Sequence, residues 1–179
     1  MIFLPAKPHH IKTLAANLRP EDRAELAAAY GRDHDLSVLL MGGLDGDQCE
    51  VMLSDAGLVL GVWGYGPLSE TDPSFGFIWM LATPALQREA ISFLRACEPS
   101  IDKAHDRYTT LVATPWRGNP LHIKWLEWCG FVLTNDTDAQ FPVYTHVRTS
   151  SDSGGDVRSV RCRGGDAVLA VEQGDQGAS

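Results

Sequence analysis

One segment constrains the fold more than any other: residues 109–131, TTLVATPWRGNPLHIKWLEWCGF. Its β-branched start stops at Thr114-Pro115, and a helical run then opens at Asn119-Pro120 and closes at Gly130. Asn at the N-cap, Pro at the first helical position and Gly in the left-handed position after the last turn specify both ends of that helix. The segment therefore predicts strand, loop, helix, strand, a unit of layered α/β architecture. At about 100° per residue, Leu121, Trp125, Leu126, Trp128 and Cys129 share one arc, with Lys124 and Glu127 opposite, so that arc is expected to dock. His122 falls on the same arc. With no acid in sequence reach, it is expected to be a core histidine bonded to a backbone carbonyl, a functional imidazole being the other reading.

The rest of the chain supplies the sheet and its helices. Residues 2–4 predict a first strand, and Pro8 opens a helix through Ile11, Leu14, Ala15 and Leu18. Pro20 restarts a second helix, with acids in its first turn, that ends at Tyr30-Gly31. Residues 36–41 read as a short helix stopped by Gly42-Gly43, with Asp33, His34 and Asp35 as its solvated cap. Residues 49–54, 58–65 and 75–83 read as a meander whose third strand, apolar on both faces, is central. Gly61 and Gly64 mark a bulge or a close approach to the second of these strands. A helix is expected directly after Thr83-Pro84, with Leu86, Ala90, Phe93, Leu94, Cys97 and Ile101 on one arc and a kink or break at Pro99. Residues 131–134 and 141–148 read as an antiparallel pair. From Thr149 onward Ser, Gly and Asp dominate and aromatic residues cease, so residues 1–149 are expected to form the domain and 150–179 a mobile tail.

Composition excludes several function classes. A chain of 179 residues is one domain long enough for a real core. Its net charge of −8 argues against a nucleic-acid partner, because releasing counterions from phosphates needs a basic face. No run has the length and apolarity of a membrane span, so a soluble chain made in the cytoplasm, with no membrane partner, is expected. Cysteines 49, 97, 129 and 162 lie far apart, without Cys-x-x-Cys or zinc spacing, and are expected to be small hydrophobes and not a metal site. His9-His10 is a poor chelate, because adjacent helical positions diverge.

In this element order the chain resembles the GNAT acetyltransferase superfamily, an α/β (α+β) fold whose mixed sheet splays between its fourth and fifth strands. The likeness runs over about residues 1–148, and its sharpest piece is Asn119 through Gly130-Phe131. Within that fold, Trp116-x-Gly118-Asn119-x-x-His122-Ile123-Lys124-x-Leu126 followed by Gly130, with Gly46-Asp47-Gln48-Cys49, resembles the GNAT-like internal virion proteins of short-tailed bacteriophages. Two departures set the chain apart from the superfamily's enzymes. Where they carry Gln/Arg-x-x-Gly-x-Gly/Ala to hold the coenzyme A pyrophosphate, this chain has Gln87-Arg88-Glu89-Ala90-Ile91-Ser92, with no glycine and an added carboxylate. Where a Tyr general acid often stands, seven residues after the Asn, this chain has Leu126.

This resemblance, with its departures, implies a non-enzymatic internal virion or assembly protein supporting the ejection apparatus. Its place would be the virion interior, and the host cytoplasm before assembly, with other virion proteins as partners and no cofactor. The alternative it leaves is an acyl-CoA-dependent N-acetyltransferase with a degenerate pyrophosphate loop, using acetyl-CoA. No catalytic residue is assigned. A degenerate acyl-CoA site is placed at Gln87, Ala90, Ser92 and Asn119, and a protein interface at Trp116, Arg117 and His122, since a loop Trp beside Arg is the composition of an interface anchor. Trp63, Trp79, Trp116 and Asn119 are candidates to line the cleft between the strands ending at Thr83 and Thr114, with core packing the favoured reading for the tryptophans other than Trp116, which lies in a loop.

Overall fold

The computed structural model describes residues 1–148; the expected tail and its domain boundary lie outside the described residues. In chain order the elements are β1 (Ile2–Pro5), α1 (Pro8–Ala16), α2 (Pro20–Tyr30), α3 (Leu36–Met41), β2 (Gln48–Leu53), β3 (Val59–Pro67), β4 (Phe75–Ala82), α4 (Ala90–His105), β5 (Thr110–Ala113), α5 (Pro120–Trp128), β6 (Val132–Asn135) and β7 (Val143–Val147). The strands form one seven-stranded mixed sheet in the order β1-β2-β3-β4-β5-β7-β6. Among the described residues only β4 and β5 run parallel, joined by the crossover through α4.

The local signals explain where most elements begin and end. Pro20 starts α2, Asp35 caps α3 by accepting the Ser37 N–H at 2.8 Å, and Gly130, at φ 88°, closes α5. Gly61 is a close approach, as expected: a Cβ there would lie 2.7 Å from the Leu81 carbonyl oxygen on the neighbouring strand.

Two helix expectations are corrected. Residues Pro84–Glu89 form a tight 3-10 turn, so α4 starts only at Ala90. Pro99 sits inside an unbroken α4. Pro99 and Arg95 are both exposed, so the carbonyl left without a helical donor meets water.

Helices cover both faces of the sheet. Met52, Leu60, Ile78, Met80, Leu111 and Leu126 pack on the side of α4 and α5, while Ile11, Leu14, Leu40, Val51, Val62 and Leu81 pack on the side of α1 to α3. Met80 and Leu81 divide between these layers because successive strand residues face opposite ways.

The sheet is continuous except at one place. β4 pairs with β5 only through Phe75, Gly76 and Phe77, so the strand from Ile78 to Ala82 has no β5 partner and the sheet opens there.

Candidate active site at the opening between β4 and β5

The opening exposes a strand edge. Thr83 turns its N–H back to the Leu60 carbonyl at 2.8 Å, so the N–H and C=O of Ala82, one residue earlier, face the gap. Helix α2 closes the far end of that edge: the Ala82 N–H donates to Asp22 Oδ2 at 2.7 Å, and the Arg19 N–H donates to the Ala82 carbonyl at 2.9 Å. Met80, two residues back, faces the same side and pairs with no β5 residue.

A buried polar network ties α2 to the start of α5 across the gap. Asn119 Nδ2 donates to Glu25 Oε2 at 2.6 Å and to Asp22 Oδ1 at 3.2 Å, while its Oδ1 accepts the His122 N–H at 3.2 Å. Glu25 also accepts the Trp116 N–H at 2.9 Å and lies 3.1–3.2 Å from His122 Nδ1. Burial opposes ionisation of Glu25, but the hydrogen bonds from His122, Trp116 and Asn119 outweigh it and hold its carboxyl below the usual range. Asp22 goes the other way: burial pushes its carboxyl up despite Arg19 and the Ala82 N–H.

Beside this network a cleft of about 390 Å³ runs between α4 and α5, over the end of β4. Phe93, Leu94, Leu121, Trp125 and Trp128 make its apolar walls; Arg19, Glu21, Gln87 and Lys124 are its long polar side chains, and Ala90 brings in the start of α4. Arg19 is 9% exposed; its Nε lies 2.8 Å from Asp22 Oδ1, an ion pair outside hydrogen-bond alignment, and its Nη2 is buried without an acceptor among the described residues. The guanidinium is paired with Asp22 on one side, and its buried Nη2, beside an apolar cleft, is a donor left without an oxygen.

The residues singled out from sequence fall into different places. Gln87 and Ala90 line the cleft, while Ser92 is exposed in the first turn of α4. Asn119 is fully buried and its amide is taken up by Asp22, Glu25 and the N-cap, so it organises the site from behind. His122 is 8% exposed and bonded to Glu25, which corrects both its placement in an exposed interface and the expected backbone partner. Arg117 is held by the Ala139 carbonyl and an ion pair to Asp136, and the half-buried Trp116 ring folds over Gly118. Trp63 is core, whereas Trp79 packs against Gly43 and Gly64 and lines a smaller cavity at the opening beside Thr114 and His122.

The wheel reading of α5 needs correction as well. Leu126 and His122 are buried, whereas Trp128 is 56% exposed and, with Leu121 and Trp125, faces the cleft.

Sequence reasoning missed Arg19, Asp22 and Glu25. Their signal was two acids three residues apart, placing both carboxylates on one face of α2 beside the apolar Leu26.

No protein-family model and no curated protein matches the chain. Solved structures do. A GCN5-related N-acetyltransferase from Kribbella flavida aligns with a TM-score of 0.62 at 13% identity, covering 82% of this chain and 97% of its own. The yncA protein of Salmonella typhimurium, solved with its cofactor acetyl-CoA, aligns with a TM-score of 0.61 at 15% identity, covering 88% of this chain and 99% of its own. The aminoglycoside acetyltransferase AAC(6')-Ib, in complex with coenzyme A and kanamycin, aligns with a TM-score of 0.58 at 15% identity, covering 82% of this chain and 94% of its own. These likenesses correct two expectations, a non-enzymatic virion component and the absence of a cofactor. The structures resembled are acetyltransferases, two of them holding coenzyme A or acetyl-CoA, and none points to a virion protein. At these identities the likeness is one of architecture, and the fold of this chain is the GNAT acetyltransferase fold.

Proposed function

We propose that the chain is an acyl-CoA-dependent N-acyltransferase using acetyl-CoA. The observation that carries this reading is the opening between β4 and β5, with an apolar cleft beside it lined by Arg19, whose Nη2 has no acceptor among the described residues.

The residues present suit an acyl-CoA in most respects. The unpaired β4 edge at Met80 offers N–H and C=O groups to an extended amide chain, as an exposed strand edge does for a peptide. Phe93, Leu94, Leu121, Trp125 and Trp128 would cover the arm and exclude water, and Arg19 would supply a donor to an oxygen of the ligand. Lys124 stands at the cleft for a phosphate; the N-terminus of α4 has no side-chain cap, but Glu89 at its N-cap position sets a carboxylate beside it. The missing glycines narrow the approach less than expected, because Ile91 and Ser92 are exposed outside the cleft and only the Ala90 methyl lines it. When bound, the thioester supplies an activated acyl group.

The test is release of the free coenzyme A thiol from acetyl-CoA, followed with a thiol reagent, in the presence of spermidine, a lysine peptide and an aminoglycoside. Amine-dependent release above the protein-free blank is expected. No release with any of the three overturns the reading.

A further inference from the structure

We propose that His122 is the proton acceptor of the transfer reaction and Glu25 its positioning residue, an inference that rests on the acyltransferase reading above. The geometry comes from three elements. Glu25 on α2 places both carboxylate oxygens within 3.1–3.2 Å of His122 Nδ1, and the Trp116 N–H and Asn119 Nδ2 fix that carboxylate from the loop before α5.

A carboxylate only accepts, so in the neutral ring the proton sits on Nδ1 and the lone pair on Nε2. Nε2 has no partner among the described residues. The ring lines a second, smaller cavity of about 60 Å³ on the α2 side of the opening, large enough for an amine nitrogen and its first carbon. Met80 lines both this cavity and the large cleft, so the two lie next to one another at the strand edge where the sheet opens. A donor in the cleft and an acceptor amine in the cavity would approach one another there.

The charges facing the ring are few. Glu25 is the only other titratable group lining the cavity among the described residues; β4, the residue after β5 and the segment before β7 contribute Met80, Thr114 and Phe141. Behind it, Asp22 is paired with Arg19, and the Trp125 ring lies 5.5 Å away, centroid to centroid. One turn further along the same face of α5 stands Leu126, which carries no proton, while Lys124 and Glu127 are exposed.

In the step itself the acceptor nitrogen forms its bond to the acyl carbon, and the carbon–sulfur bond breaks with its electron pair leaving on sulfur. The proton lost from nitrogen goes to His122 Nε2. The thiolate takes a proton from solvent, and His122 returns its own to solvent.

Two measurements decide this. The ¹⁵N shifts of the His122 ring in the ligand-free wild-type protein should show Nδ1 protonated and Nε2 bare in the neutral form, a preference lost in Glu25→Gln. The pH–rate profile of acetyl transfer to the most active amine should lose its acid limb in His122→Gln, with turnover lowered about 100-fold and KM for acetyl-CoA changed less than about threefold. The tautomer is read on the wild-type chain, so it decides even where a variant fails to fold: a proton on Nε2 in the neutral ring overturns the assignment. Transfer by His122→Gln with a profile parallel to wild type overturns the pair and leaves the acyltransferase standing. No transfer by the wild-type protein overturns both.

Discussion

Replacing Asn119 by Ala removes the one amide that joins α2 to α5. The side chain is fully buried, caps α5 through the His122 N–H, and donates to Asp22 and Glu25 at 3.2 and 2.6 Å. Loss of the cap alone costs about 1 kcal/mol. Each carboxylate loses a charge-assisted bond worth about 1.5 kcal/mol, though Asp22 keeps the Ala82 N–H and Glu25 keeps the Trp116 N–H and His122. The total expected is about 3–5 kcal/mol. Urea unfolding followed by tryptophan fluorescence measures it, with the slope unchanged if only stability moves. Asn119→Asp should also destabilise, because it keeps the cap acceptor but sets a third carboxylate against Asp22 and Glu25. A loss below about 1 kcal/mol for Asn119→Ala would refute the network as the link between the two helices.

Other expectations follow from single residues. Trp128→Ala should change stability by less than about 1 kcal/mol, because the ring is 56% exposed, yet weaken acetyl-CoA binding; a loss of about 3 kcal/mol in a urea melt would put the ring back in the core. Gly130→Val should cost at least about 1 kcal/mol by the same assay, since φ is 88° and a Cβ would sit 3.3 Å from His146 Nε2. Burial, and then the neighbouring His105, lower the pKa of His146 from 6.5. The unfolded chain therefore binds more protons as pH falls through that value, so His146's contribution is complete above it and declines below it. Urea midpoints between pH 7.5 and 5 check the sign, and His146→Gln should flatten the slope; a slope unchanged in that variant would assign the effect elsewhere.

What the sequence made legible was local. Asn119, Pro120 and Gly130 mark the ends of α5, Pro20 and Asp35 mark helix starts, and the element order carries the family resemblance that implies a sheet splayed between its fourth and fifth strands. The site was harder, because its partners are remote. Glu25 meets Asn119 and His122 from 94 and 97 positions away, and Asp22, a first-turn acid of α2, already has a sufficient local reason in the helix dipole. The wheel of α5 failed for a related reason. It finds an apolar arc but cannot divide it into a stripe that meets the sheet, Leu126 and His122, and a stripe that lines an open cleft, Leu121, Trp125 and Trp128. The missing glycines after β4 misled in function, since the 3-10 turn Pro84–Glu89 shifts the start of α4 and leaves Ile91 and Ser92 outside the cleft.

The central claim, that the cleft beside the opening holds an acyl-CoA, is tested most directly by calorimetric titration of acetyl-CoA into the wild-type protein and Arg19→Lys. Lysine keeps a cation beside Asp22 and removes the guanidinium Nη2. The expected result is one saturable site per chain with a Kd of about 1–100 µM, the scale on which enzymes meet their substrates, weakened at least about tenfold in the variant. No saturable heat up to about 1 mM acetyl-CoA in the wild-type protein would contradict it.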